Sequence, residues 1–298
     1  MQDHQYSQAF SLSNRLLPLF EMASKLGLQP QFFEPYLPMT TPSSTPICTI
    51  TGAAPAESLL VFDKDGVLLD LNSTWLPVIL AMGQYLEDRC GGATKRDALL
   101  AAVGVNIIPG TDEGEIEENS MFAAGTFANM RDIWSNLEPA LIPVFDDMEN
   151  YRNDINQIVM STARGKTIPK GDVKKGLEAL KALGFKLAVA TNDNMASAAI
   201  NLEDLGINHL FDVVICADSG FGRKPEGGGL REACRATGIP PERAIMVGDT
   251  ATDFLAADDA GFKGFITIAD QAPTKPDFIP TTDAVLTSVE GMSGLLMG

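Results

Sequence analysis

The 298-residue chain is 45% hydrophobic and 20% charged, which is enough apolar material to bury a core and excludes a disordered chain or a disulfide miniprotein. Its 22 basic residues against 39 acidic ones give a formal net charge of -17, so nucleic acid held by phosphate neutralisation is not expected as a partner. The same field opposes small anions, so any phosphate site needs clustered cations or a bound metal.

The first fifty residues carry Pro18, Pro30, Pro35, Pro38, Pro42 and Pro46 and a Thr/Ser/Pro cluster over 40–46. Residues 1–56 therefore read as a loosely structured extension. A targeting segment over 11–28 is the alternative, although Asp3, Glu21 and Glu34 suit an acid-poor transit sequence badly. Cys48, Cys90, Cys216 and Cys234 form no CxxC pair, which points to a reducing compartment and makes the cytoplasm the expected location. No run reaches the roughly 18–20 apolar residues of a membrane span; the run from Trp75 to Met82 is short and contains Pro77.

From Leu59 the pattern changes. Leu59-Leu60-Val61-Phe62 is a wholly apolar strand of the kind buried on both faces of a parallel sheet, and it ends at Asp63. Residues 72–167 lack strand alternation and read as an inserted helical domain, with helices over 75–89, 94–103, 125–134 and 139–156. Trp75 and Trp134 are expected in its core. Beyond it, helices over 173–183, 195–205, 230–237 and 252–259 alternate with strands at 186–190, 213–216, 244–247 and, last, 265–268. The alternation predicts a doubly wound parallel α/β sheet built from 57–71 and 168–298, with ligands bound outside the carboxyl ends of its strands.

Those strand ends carry the chemistry. The first delivers Asp63-Lys64-Asp65-Gly66, two carboxylates at i and i+2 that can face one centre, with the Lys64 side chain expected to point away from both. The second delivers Thr191-Asn192-Asp193, whose hydroxyl and amides can bind phosphate oxygens at a helix N-terminus. Lys224 follows the third strand, and Asp249 and Asp253 sit at the strand-helix junction after the fourth, where two acids can ligate a hard cation. Taken singly, these are an Asp-Gly turn, an N-cap, a surface lysine and another cap. Four successive strands placing acid, hydroxyl, lysine and acid along one edge form a combination that chance does not readily supply.

This combination resembles the haloacid dehalogenase superfamily, and the Asp-Lys-Asp-Gly, Thr-Asn-Asp and Gly-Asp-Thr segments look most like its phosphoglycolate phosphatase-type members. The resemblance covers about two hundred residues and leaves the first fifty or so outside it. It implies that Asp63 is the nucleophile, forming an aspartyl-phosphate, and that Asp65 protonates the leaving alcohol and then activates water. It further implies that Thr191 binds the phosphate and that Lys224 neutralises the phosphoryl group. Mg²⁺ would be held by Asp63, Asp249, Asp253 and the backbone carbonyl of Asp65. The helical insertion is similar to the small cap that closes over low-molecular-weight substrates in that family. Asn192 either holds its loop or touches the phosphate, and Arg164 reads as a solvated arginine, with reach to an anionic substrate from the cap side as the alternative. No role falls to Lys64.

Physical chemistry supports the implied roles, because a phosphate dianion repels a carboxylate nucleophile unless cations neutralise both. An acid two residues after the nucleophile disfavours dehalogenation, since a departing halide needs no proton. The expected function is Mg²⁺-dependent hydrolysis of a small phosphorylated metabolite, with 2-phosphoglycolate as the leading candidate. A phosphomutase or phosphotransferase acting on a sugar phosphate and a non-catalytic binding protein on the same fold are the alternatives.

Overall fold

The computed structural model describes residues 47–296 except 118 and 126. The expectations for residues 1–46, a loose extension or a targeting segment, lie outside the described residues. Residues 47–51, expected to belong to that extension, instead pack onto the core, while 52–57 lie at the surface. A short helix α1 (Ile47–Thr51) buries Ile47 and Ile50 against the sheet layer, and the Ser58 hydroxyl donates to Thr51 Oγ1 at 3.0 Å.

The main sheet has six parallel strands, β1 (Leu59–Phe62), β4 (Lys186–Ala190), β5 (Val213–Ile215), β6 (Ala244–Gly248), β7 (Gly264–Ile268) and β8 (Ala284–Leu286), in the order β5-β4-β1-β6-β7-β8. The last of these is a correction, because the sequence reading stopped at 268. Ala-Val-Leu is too short to stand out as a run, yet it pairs with β7 and buries Ala284 and Val285.

The apolar runs divide by alternation. Leu60 and Phe62 face one layer with Leu187, Val189, Ile245 and Val247, covered by α8 (Val173–Ala182) and by Leu202 of α9 (Met195–Asp204). Leu59 and Val61 face the other with Ala188 and Met246, covered by α10 (Gly228–Thr237) and α11 (Ala251–Ala260). Burial on both faces is why these strands are continuously apolar. The chain leaves β1 toward β4 and β5 on one side and returns through β6 to the other, so the ends of β1, β4 and β6 border the crevice where such sheets bind ligands.

Between β1 and β4 lies the insertion, in chain order α2 (Leu71–Arg89), α3 (Arg96–Ala101), β2 (Val105–Ile107), β3 (Gly114–Ile116), α4 (Met121–Ala124), α5 (Phe127–Leu137), α6 (Ile142–Asp146) and α7 (Met148–Ala163). It has its own hydrophobic cluster, centred on Trp134, Leu99, Leu100 and Ile79. The insertion is not wholly helical as expected, since β2 and β3 form an antiparallel hairpin with Val105 opposite Ile116. The expected helix over 139–156 is also broken, because Asp147 ends α6 and caps α7 by accepting from Asn150 N. The two chain crossings between insertion and sheet are tied together, with Asp70 N donating to Ile168 O and Ile168 N to Thr74 Oγ1.

Candidate functional site

Each candidate residue stands where a strand stops. Asp63 follows β1, and its amide donates to Val247 O of β6 at 2.9 Å, which fixes the start of the turn. The turn needs Gly66, at φ +75, where an added Cβ would lie 1.9 Å from Asp249 Oδ2. Thr191 follows β4, with its amide bonded to Ile215 O and its hydroxyl accepting from Asp193 N. Asp249 follows β6, and Thr250 caps α11 in a reciprocal box with Asp253.

Lys224 sits on the loop after β5. That loop is held by Asn192, whose side-chain amide donates to Lys224 O and accepts from Lys224 N, both at 2.9 Å. Of the two expectations for Asn192, loop support is the contact formed. The Lys224 ammonium lies 2.6 Å from Asp63 Oδ1 and 2.6 Å from Asp253 Oδ1. All three side chains are buried. Burial alone would lower the Lys224 pKa, but Asp253 and Asp63 hold it raised. Burial also lifts the Asp63 carboxyl to about 7, with Lys224 opposing and Asp253 and Asp65 reinforcing the rise.

Asp63, Asp249 and Asp253 each offer an oxygen, and these oxygens lie within 4.8 Å of one another. Asp249 Oδ1 is buried without a hydrogen-bond partner, and its carboxyl is pushed well above the usual carboxylate range by burial and by Asp253 and Asp63. An acid-only oxygen cluster with one orphaned atom suits a hard divalent cation such as Mg²⁺. Asp253 contributes under constraint, because its other oxygen accepts from Thr250 N and Oγ1. The Asp65 carboxylate is not part of this cluster, and its Oδ1 is engaged by Lys64 and Trp75.

Lys64 overturns its expectation. Its ammonium is fully buried, 2.7 Å from Asp65 Oδ1, 3.0 Å from Asp193 Oδ2 and 3.0 Å from Asn201 Oδ1. It also stands 5.0 Å from the centre of the Trp75 ring. Side-chain alternation ends with β1 at Phe62, and once the chain turns, residues 64 and 65 no longer point to opposite faces. Trp75 is likewise more than core packing, since its indole N–H donates to Asp65 Oδ1. Burial raises the Asp65 pKa, against the pull of Lys64. Sequence reasoning missed the Lys64–Asp193–Asn201 network, and the one available signal was the charge of Lys64 between two acids.

Asp63, Asp65, Thr191, Asn192 and Lys224 open onto one cavity of about 690 Å³ between the strand ends and the insertion. Asp249 and Asp253 stand behind Asp63 and Lys224, and Arg164 is not part of the wall. The arrangement offers a carboxylate held by a cation, a second carboxylate held two residues on, and an acid cluster for a metal, all at a pocket with an outside opening.

Comparison with known proteins agrees with this geometry. A phosphoglycolate phosphatase from Neisseria meningitidis is 34% identical over 122 residues, covering 38% of this chain and 52% of that protein. One from Psychrobacter arcticus is 37% identical over 95 residues, covering 32% of this chain and 41% of its own. The matched segments thus span about half or less of these curated relatives. Among solved structures, a predicted phosphoglycolate phosphatase from Haemophilus somnus superposes with a TM-score of 0.59 at 20% identity, covering 80% of this chain and 97% of that one. A subfamily IA hydrolase from Geobacter sulfurreducens gives 0.55 at 21%, covering 81% and 97%. These likenesses establish the fold. The family model for haloacid dehalogenase-like hydrolases matches residues 58–261, from the start of β1 to the end of α11, and the chain belongs to that family.

Proposed function

We infer that the chain is a phosphoric monoester hydrolase that works through an aspartyl-phosphate on Asp63. The observation that carries this reading is the Asp63 carboxylate fixed by Lys224 at 2.6 Å beside a carboxylate cluster with an orphaned oxygen. Asp63 attacks phosphorus as the bond to the leaving oxygen breaks, and Asp65 gives that oxygen its proton. Asp65, then ionised, takes a proton from water, whose oxygen attacks the phosphorus and releases phosphate and the Asp63 carboxylate. Lys224 and the Thr191 hydroxyl bind the phosphoryl oxygens. Lys64 and Trp75 hold Asp65 in place. A divalent cation, Mg²⁺ on this reading, would be bound by Asp63, Asp249 and Asp253 and would neutralise charge on the phosphoryl oxygens.

The relatives' names make 2-phosphoglycolate the first monoester to assay. The three described free cysteines, all buried, support a cytoplasmic setting, and no described helix is long and apolar enough to cross a membrane. The test is phosphate release with Mg²⁺ and with chelator, for the parent and Asp63→Asn. Metal-dependent release, lowered on the order of a thousandfold or more in the variant, is expected. Full activity in Asp63→Asn would overturn the mechanism. Appearance of a phosphorylated acceptor instead of free phosphate would assign the chain to phosphoryl transfer.

A further inference from the structure

The acids of the cavity are confined to one wall. Asp63, Asp65, Asp193 and Asp218 all lie on the sheet side, together with Lys224 and Arg223, whereas the insertion's half of the wall carries Arg131 and Arg152 and no acid. Among the described residues neither guanidinium makes an ion pair; Arg131 Nη1 meets only the sulfur of Met148, at 2.6 Å. Two unpaired cations facing a cavity in a chain of net charge -17 mark a place for an anion, since stray arginines in such a chain have an excess of carboxylates to pair with.

A second observation lies on the same wall. Tyr151 is one turn ahead of Ile155 on α7, its ring lines the cavity, and its hydroxyl is buried without a hydrogen-bond partner. Arg131 lies near enough to draw the phenol's pKa down, against the larger upward effect of burial. A buried hydroxyl left unpaired is a donor that an acceptor brought to this wall would satisfy. Apart from Asn156 the rest of that side is largely apolar, including Phe122, Met130, Ile155 and Val159.

Size completes the argument. A cavity of about 690 Å³ is of the kind that encloses a drug-sized molecule, and a two-carbon leaving group would fill a small part of it. We propose that the preferred substrate is a phosphate monoester whose leaving group is a bulky, largely apolar body ending in a second anion, with the phosphoryl group at Asp63 and Lys224 and the distal anion at Arg131, Arg152 and Tyr151. This rests on the phosphatase reading and names its substrate class.

The test compares kcat/KM for 2-phosphoglycolate, benzyl phosphate and 4-carboxybenzyl phosphate with the full chain and Mg²⁺. The two benzyl esters have closely similar leaving groups and differ in the distal carboxylate. A charge-assisted hydrogen bond worth about 1.5–3 kcal/mol makes the carboxylated ester better than benzyl phosphate by roughly tenfold to a hundredfold. It should also exceed 2-phosphoglycolate. Arg131→Met should narrow the ratio between the benzyl esters about tenfold. Tyr151→Phe should narrow it less, and because it removes only an unpaired buried hydroxyl, the melting temperature should be no lower than the parent's. Hydrolysis of none of the three would count against the phosphatase reading itself. Hydrolysis led by 2-phosphoglycolate, or a benzyl ratio unmoved in both variants, would leave that reading standing and overturn the substrate class.

Discussion

Replacing Lys64 with methionine tests whether the buried network around Asp65 is a structural necessity. Methionine keeps most of the stem, so little volume is lost, and the change removes the ammonium that meets Asp65, Asp193 and Asn201. Two carboxylates are then left facing one another without a cation, and removing one partner of a buried ion pair costs about 3–5 kcal/mol. At about 2–4 °C per kcal/mol, the melting temperature should fall by on the order of 10 °C at pH 8. The loss has a definite pH dependence. Burial already raises the folded pKa of Asp65, and loss of Lys64, which opposes the rise, lifts it further. A carboxyl with a raised folded pKa binds its proton more readily folded than unfolded, so its penalty is full above that pKa and fades as pH falls through it. Thermal melts at pH 8 and pH 5 should therefore show the larger deficit at pH 8, and adding Asp193→Asn should recover part of it. A variant as stable as the parent at pH 8, or one hurt more at pH 5, would refute the reasoning.

Gly66→Ala places a Cβ 1.9 Å from Asp249 Oδ2 at φ +75, so it should weaken Mg²⁺ binding by more than about tenfold in calorimetric titration, and unchanged binding would refute the assigned metal site. Protons and metal compete for the acid cluster: Asp63, raised from 3.8 to about 7 in the metal-free fold, destabilises that fold increasingly as pH climbs between those values. The rise in melting temperature on adding Mg²⁺ should accordingly be larger at pH 8 than at pH 5.5, and a larger rise at the lower pH would contradict the assignment. Asp249→Asn removes a buried carboxyl with an orphaned oxygen, so it should raise the melting temperature of the metal-free protein at pH 8 and abolish the Mg²⁺ response. A lowered metal-free melting temperature together with an intact response would refute it.

Local signals made most of the sheet legible. Leu59–Phe62 and Ala244–Gly248 are apolar runs that stop at acids, and the helices on either side of the second run close at Gly238 and Gly261, both in the left-handed conformation. The features that escaped depend on distance in sequence. Strand β8 gains its identity from pairing with β7, and the β2–β3 hairpin from an antiparallel register that two three-residue segments do not advertise. The strand ends identified the site residues, whereas Asn201 is 137 positions from the Lys64 it bonds, and nothing in its own helix signals that contact. Alternation misled at Lys64 because the rule holds only while the backbone stays extended.

The electrostatics of the site bear on which substrates it can accept. Two buried lysines each bridge two acids: Lys224 joins Asp63 to Asp253, and Lys64 joins Asp65 to Asp193. With Asp249, five acids meet two cations; burial raises the pKa values of Asp63, Asp65 and Asp249, and neighbouring acids reinforce the rise at each. A divalent cation would cancel two of those charges and leave the sheet side still negative before a phosphate dianion arrives. The phosphoryl end can therefore be neutralised locally, but beyond Lys224 and Arg223 the sheet side offers a second anion mainly carboxylates. The insertion, with Arg131 and Arg152 on its wall and no acid beside them, is the side of the cavity suited to that anion. Separating the two cationic positions across the cavity lets the fold favour a substrate charged at both ends over one whose charges lie together.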